Sequence, residues 1–285
     1  MPVNPEVVDD LRADPTAISL HPSLDLSYGD PGRATAMDRF HTQFVRPDDL
    51  VFDIGAHVGD RTASFRRLGA RVIAVEPQPL CARSIRTLFG DDDQVTVVEA
   101  ACGAAIGRLE LYINSANPTV STASPHFVHA ADGAENWQGQ IWDARLAVPA
   151  TTLDVLVAEH GRPAFVKVDV EGFEDAVLAG LSHLLPALSF EFTTIERAVA
   201  QRALDHAVAL GFTRFNLALG DAMALAEPAW LTAPALGALL NALPHSANSG
   251  DVYCRSEAVD SHCQRSTSSR GSRATRTTPP TAGQD

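Results

Sequence analysis

From residue 50 to residue 192, short apolar runs of strand length alternate with helical segments, and most joints between them are only a few residues long. Buried parallel strands read as continuous apolar runs, whereas amphipathic helices repeat every three or four residues. The runs at 50–56, 71–76, 95–101, 165–170 and 188–192 have the first character. The segments at 61–68, 80–89, 152–159, 173–181 and 195–210 have the second. Parallel strands need a crossover, and a helix supplies it, so this alternation predicts a doubly wound α/β sheet. Further strands are expected at 107–113, 213–219 and 251–255, with the last two forming an antiparallel hairpin at one edge.

The flanks differ from this rhythm. Residues 1–35 are rich in Pro, Asp and Gly with little periodicity, and read as a loosely packed N-terminal arm. Residues 256–285 are mostly Ser, Thr, Arg and Pro, with almost nothing to bury, and read as a disordered tail. The folded domain is expected over 36–255. Within it, residues 114–149 form a long stretch without strand or helix pattern that carries Trp137 and Trp142. Loops this long inside a domain are usually functional, so a substrate-covering lid is expected here.

Composition narrows the partners. The apolar fraction of 45% is enough to build a core, which excludes a mainly disordered chain. A net charge of −13 repels phosphate backbones and anionic lipid, so neither nucleic acid nor membrane is an expected partner. No run reaches the ~18 apolar residues that span a bilayer. Cys81, Cys102, Cys254 and Cys263 show no CxxC spacing, and acids stand where a signal peptide would carry its apolar run. Both features fit reduced thiols in a cytoplasmic protein. The oligomeric state is not legible.

The first strand runs into Asp53-Ile54-Gly55-Ala56-His57-Val58-Gly59. In open α/β sheets, ligands bind at the carboxyl ends of strands, and glycine lets backbone approach them. A dinucleotide fingerprint needs G-x-G-x-x-G, but its second and third glycines fall on His57 and Asp60, which disfavours an NAD-type oxidoreductase. What remains is acid-x-Gly-x-x-x-Gly. The second strand then ends in Glu76-Pro77, an acid placed to accept both hydroxyls of a ribose. A carboxylate that can take an ammonium group, a ribose acceptor and no phosphate cradle together fit a nucleoside bearing an amino acid, of which S-adenosylmethionine (SAM) is the common example.

A second constellation lies in Lys167-Val168-Asp169-Val170-Glu171-Gly172-Phe173-Glu174. Charges at the end of a central strand are costly to bury unless paired or functional. Period-two geometry sends Lys167, Asp169 and Glu171 towards one face if the strand stays regular. Glu191 ends the fifth strand in the same way. Asp169, Glu171 and Glu191 are therefore the candidate catalytic acids, with His126 and His129 as alternative bases in the long loop.

The segments VFDIGAHVGDRTASFRRLGARVIAVEPQP, VPATTLDVL, FVKVDVEGFEDAVLAGL and LSFEF resemble the FkbM family of SAM-dependent methyltransferases. The resemblance runs from about residue 45 to residue 255 and is carried most specifically by the K-x-D-x-E-G-x-E block. It implies a Rossmann-like class I methyltransferase fold with a seven-strand, mostly parallel sheet, and O-methylation of a hydroxyl on a small molecule or sugar. Carried over residue by residue, it assigns cofactor binding to Asp53, Gly55, Gly59 and Glu76, with His57 and Pro77 beside them as further candidates. His57 stands where the family commonly has Asn.

Methyl transfer to an alcohol needs help in removing its proton. A carboxylate base or a divalent cation such as Mg²⁺ supplies that help, and oxygen ligands suit Mg²⁺. The acids named above serve either role. A catalytically inactive SAM-binding scaffold or sensor is the alternative. Residues 223–243 and the long loop are expected to border the acceptor pocket, although the leucines at 236, 239, 240 and 243 have helical spacing that suits core packing.

Overall fold

The computed structural model describes residues 3–256, so the expected tail falls outside the described residues from 257 onwards. The N-terminal arm is helical and packed, not loose. It comprises α1 (Pro5–Ala13), a 3-10 turn (Pro15–Leu20), α2 (His21–Tyr28) and α3 (Pro31–His41). Three of these four segments open on an acid or amide followed by proline: Asn4-Pro5, Asp14-Pro15 and Asp30-Pro31. In each, the side-chain oxygen accepts a backbone N–H two residues on, at 3.1, 2.8 and 2.7 Å. Proline at the first helical position loses no hydrogen bond. The Asp and Pro that read as loop composition are thus helix starts. Val8, Leu11, Leu20 and Leu24 of the arm are buried against Ala56, Val58, Ile85, Leu88 and Phe89 of the domain.

The domain runs β1 (Leu50–Ile54), α4 (Asp60–Arg67), β2 (Arg71–Val75), α5 (Pro79–Phe89), β3 (Val95–Val98), β4 (Ala101–Cys102), β5 (Gly107–Ile113), α6 (Pro125–Ala131), β6 (Ala144–Thr151), α7 (Leu153–His160), β7 (Phe165–Val168), α8 (Glu174–Ala179), β8 (Ala187–Thr193), α9 (Arg197–Leu210), β9 (Arg214–Leu219), α10 (Ala233–Ala242) and β10 (Ser249–Arg255). Seven strands form one sheet in the order β3-β2-β1-β7-β8-β10-β9. Only β10 runs against its neighbours, between β8 and the edge strand β9. The antiparallel edge pair is therefore present, joined through α10 and not by a tight turn. This is the seven-strand, mostly parallel α/β sheet expected from the alternation.

Two expectations about the middle of the chain change. The single strand at 95–101 is split, because β4 leaves the main sheet to join β6 and β5 in a three-stranded sheet. The long loop is also shorter than its composition implied. Its last residues form β6, paired antiparallel with β5 from Gly107↔Ala150 to Ile113↔Ala144. Pro149 hid that strand, since proline argues against a strand interior in a sequence reading.

Alternate residues of each strand serve opposite faces. Phe52, Ile54, Val166, Val168, Leu188 and Phe190 face the core under α7, α8, α9 and α10. Val51, Phe165, Ala187 and Tyr253 face a second cluster with Phe40, Phe44 and Phe65. Leu236 and Leu240 of α10 are fully or almost fully buried in the first core, so their helical spacing serves packing. Among the described residues, no helix is long and apolar enough to cross a membrane.

Candidate active site

Strand pairing lines up the polar residues. Asp53 is the Cα partner of Lys167, Lys167 of Ser189, Ser189 of Tyr253, and Tyr253 of Asn216. All five are buried. Side chains of paired residues share a face, so they form one polar row across the sheet. Two residues further towards the carboxyl ends of the parallel strands stand Gly55, Asp169 and Glu191, with Asp251 paired to Glu191. The face thus changes from aromatic to polar to acidic as the strands end, and the acids arrive where the backbone diverges and leaves a cleft.

A cavity of about 390 Å³ occupies that cleft. Asp53, Gly55, His57, Glu76 and Pro77 line one part of it, and Asp169, Glu171 and Glu191 line another. Sequence reasoning therefore brought eight of its nine site residues to one cavity. Gly59 is the exception. It has φ +78 at the start of α4, and an added Cβ would stand 2.7 Å from the Phe89 ring, so its role is close packing. His126 and His129 lie on α6 and do not line the cavity. Residues 223–243 do not line it either, and only the turn at Gly220 and Asp221 reaches in from that region.

The glycine turn is tight because Gly55 (φ +79) lets β1 pass close to β7. A Cβ at Gly55 would be 1.8 Å from the Asp169 carbonyl oxygen, which no side chain can occupy. Glu76 is 2% exposed. Its two carboxylate oxygens accept the backbone N–H groups of His57 and Gln78, each at 2.8 Å. Burial pushes its carboxyl up to about 7, against the pull of those two N–H donors. Asp53 accepts the Thr62 hydroxyl at 2.6 Å, and burial raises its pKa as well.

At the acid end, oxygen atoms of Asp169, Glu171 and Glu191 lie within 4.8 Å of one another. Beside them the Lys167 ammonium lies 2.6 Å from Asp169 and 3.4 Å from Asp251. Despite burial, these carboxylates keep Lys167 protonated, and Lys167 in turn holds Asp169 below the usual carboxylate range. Lys167 makes no ion pair with Glu171 or Glu191, and its pull on them is outweighed. Burial first, and the neighbouring carboxylates second, push both well above that range. One oxygen of Glu191, Oε2, is buried without a hydrogen-bond donor. Glu174 shapes the turn: its Oε1 accepts the N–H groups of Val170 and Gly172 at 3.1 and 3.2 Å. Burial pushes it up to about 8.

Some of the cavity was not legible in sequence. Asp251 was read only as part of an edge strand, although a charge inside an otherwise apolar run was a usable signal. Arg33 of the arm makes a two-pronged pair with Asp60 at 3.0 and 2.8 Å, and Arg61 bridges Asp60 and Asp221 at 2.8 and 3.1 Å. These pairs tie α3, α4 and the β9 turn together at the cavity wall. Ser23, Thr119, Trp137 and Asn248 also line it. They come from three segments, α2, the 114–143 stretch and the turn before β10, and only the 114–143 stretch, with its tryptophans, was marked in the sequence.

Residues 53–210 of the chain match the methyltransferase FkbM domain. The chain belongs to the FkbM methyltransferase family. Within this FkbM protein, the matched span begins at Asp53 and includes Glu76 and the whole acid block through Glu191, whereas Asp251 lies beyond it. No curated protein sequence matches the chain. Among solved structures, a TehB-like SAM-dependent methyltransferase from Corynebacterium glutamicum aligns at 10% identity over 89% of this chain and 100% of that one, with a TM-score of 0.43. A precorrin-6y C5,15-methyltransferase from Geobacter metallireducens aligns at 12% identity over 79% and 87%, with a TM-score of 0.38. Aeropyrum pernix fibrillarin, solved with natively bound S-adenosyl-L-methionine, aligns at 10% identity over 74% and 68%, with a TM-score of 0.39.

The residues present fit a sulfonium nucleoside. The cavity volume falls in the roughly 300–1,000 Å³ range of small-molecule sites. Eight acidic side chains line it against Arg33, Arg61 and Lys167; even setting aside Glu171 and Glu191, whose carboxyls burial raises, six acids face three cations, so its field favours a cationic ligand. Each Glu76 oxygen keeps a second lone pair for a ribose hydroxyl after accepting its backbone N–H.

Proposed function

We propose that this protein transfers a methyl group from SAM to a hydroxyl of a small molecule or sugar. The observation that carries the proposal is the single cavity that joins the Gly55 turn and Glu76 to the cluster of Asp169, Glu171 and Glu191. When bound, SAM supplies an activated methyl group on a positively charged sulfur. The chain's own residues bind, orient and move the proton. Glu76 holds the ribose hydroxyls, with Asp53 and Pro77 beside it. Asp169, kept ionised by Lys167, accepts a hydrogen bond from the acceptor hydroxyl and orients it. Glu191, once ionised, receives the proton at Oε2, which has no donor of its own, as the acceptor oxygen takes the methyl group, and its raised carboxyl makes that ionised form a stronger base.

The same three acids support a second reading. A magnesium ion held by Asp169, Glu171 and Glu191 would lower the pKa of the acceptor hydroxyl, and their clustered hard oxygens suit it. A chain that binds SAM without turnover, as a scaffold or sensor, is the competing function.

Calorimetric titration with SAM and S-adenosylhomocysteine, with and without Mg²⁺, tests the cofactor. A panel of hydroxylated acceptors scored by mass gain of one methyl group tests the reaction. Micromolar binding followed by methylated product supports the enzyme, and binding with no product across sugars, polyols and polyketides favours the scaffold. Binding of neither nucleoside sinks both. Carboxylate catalysis predicts a rate that rises with pH above the ordinary carboxylate range and is lost in Glu191→Gln.

A further inference from the structure

The segment from Asn114 to Asp143 touches both ends of the cavity. At the cofactor end, the Pro118 carbonyl accepts Gln78 Nε2 at 3.0 Å. The Thr119 hydroxyl lies 3.2 Å from His57 Nε2 and 3.1 Å from the Ser23 hydroxyl, and Ser23 itself is 2.8 Å from the same ring nitrogen. Three residues on, the Thr122 hydroxyl donates to the Glu171 carbonyl at 2.6 Å. Phe127 then packs on the next residue, Gly172, so closely that a Cβ there would be 2.5 Å from the ring. Trp137 Nε1 donates to Asn248 Oδ1 at 3.1 Å, and both of those residues line the cavity.

Internally the segment is braced. Trp142 Nε1 donates to the Val120 carbonyl at 2.9 Å, and Asn114 and Asn117 both donate to Gln140. Val120, Phe127, Ala131 and Trp137 form an apolar cluster of their own. Thr119 is joined through its neighbour Val120 to this cluster and so to Phe127, and close-packed groups transmit strain. The residue they reach is unusual. Glu171 has φ +56, and Gly172 follows at +84. L-residues rarely hold the first conformation unless their surroundings impose it. Thr122 and Phe127 are two of those surroundings, and the turn they hold is the one that returns the Glu171 carboxylate to Asp169 and Glu191.

Resting on the cofactor reading above, we propose that the 114–143 segment couples occupancy of the cofactor end to the geometry of the acid turn, with Thr122 as a positioning residue for Glu171. The cofactor side of the link is Thr119 against His57 and Ser23. The acid side is Thr122 against the Glu171 carbonyl.

Hydrogen exchange of the full chain, with S-adenosylhomocysteine as the probe, tests this without an acceptor. In the wild type the probe is expected to slow exchange at residues 53–60 and also at 169–174, the latter on the order of ten-fold. Thr122→Val keeps the shape and loses the donor. It should bind the probe within a few-fold of wild type and protect 53–60, but lose the added protection at 169–174. Thr122→Ser restores the hydroxyl and should restore the protection. Thr119→Val should uncouple the two regions from the other side, and it carries the test if Thr122→Val does not fold. Equal protection of 169–174 in the wild type and both valine variants overturns the coupling. So does a wild type protected at 53–60 alone. A wild type that neither binds the probe nor protects 53–60 overturns the cofactor reading itself, and the coupling falls with it.

Discussion

Lys167 and Asp169 stand on the same face at the end of β7, with the ammonium 2.6 Å from the carboxylate and a second carboxylate, Asp251, at 3.4 Å on the other side. The strand sets this arrangement, since residues two apart share a face. Among the described residues, Lys167 is the cation that ion-pairs with the acid row, so the row's charge state depends on it.

Replacing Lys167 with Met should lower stability at pH 7 by about 3 kcal/mol, the scale of removing one partner from a buried pair. Asp169 has a depressed pKa in the folded protein, so its contribution is present above the ordinary value of 3.8 and is lost as pH falls through the folded value. The gap between variant and wild type in urea unfolding should therefore close below about pH 4. A gap that stays constant down to pH 3 would show that Lys167 contributes by packing alone.

The raised glutamates act in the opposite sense. Burial pushes Glu76 and Glu174 up to about 7 and about 8 from an ordinary 4.5, and burial and neighbouring carboxylates push Glu171 and Glu191 well above it too. The folded chain holds protons that the unfolded chain has released, so this stability is full below about 4.5 and lost as pH rises through the folded values. His41 and His57, kept neutral by burial, oppose the trend below their ordinary 6.5. The clean window is thus pH 6.5 to 8, where Glu76 and Glu174 alone should lower the unfolding free energy by on the order of 2 kcal/mol. Glu174→Gln should flatten the slope, and a slope of the other sign would contradict the burial of these acids.

Glu76→Gln should weaken S-adenosylhomocysteine about ten- to a hundred-fold, the value of a hydrogen bond to a charged acceptor. Because Glu76 ionises near 7, wild-type affinity should improve between pH 6 and pH 8 while the variant stays flat. Calorimetry at the two pH values decides it, and equal affinities for both proteins remove Glu76 from the ribose site.

Leu24→Ala tests the arm. Leu24 is fully buried in the cluster that includes Ile85, Leu88 and Phe89. Truncation should cost about 3 kcal/mol if the arm is part of the cooperative core. A thermal midpoint within a degree of wild type would mean that the arm unfolds separately and that its contacts at Ser23 and Arg33 do not brace the cavity.

The sheet was legible because its strands are apolar on both faces and its joints are short. The site was legible where charge interrupts those strands, at Asp53, Glu76, Asp169 and Glu191. The arm was misread because Asx-Pro pairs serve loops and helix starts alike, and only the paths of Asn4, Asp14 and Asp30 distinguish them. The strand β6 was missed because Pro149 is tolerated in a small second sheet that period and composition do not announce.

Local pattern alone therefore determined the elements, their alternation and the row of acids at the strand ends, since each depends on residues a few positions apart. Only the tertiary structure decided that Asp251 joins that row from the antiparallel strand. It also decided that Arg33 braces the cavity from the arm and that Thr119 and Thr122 meet opposite ends of one site. Those relations depend on which distant segments pack together, and packing is a property of the whole chain.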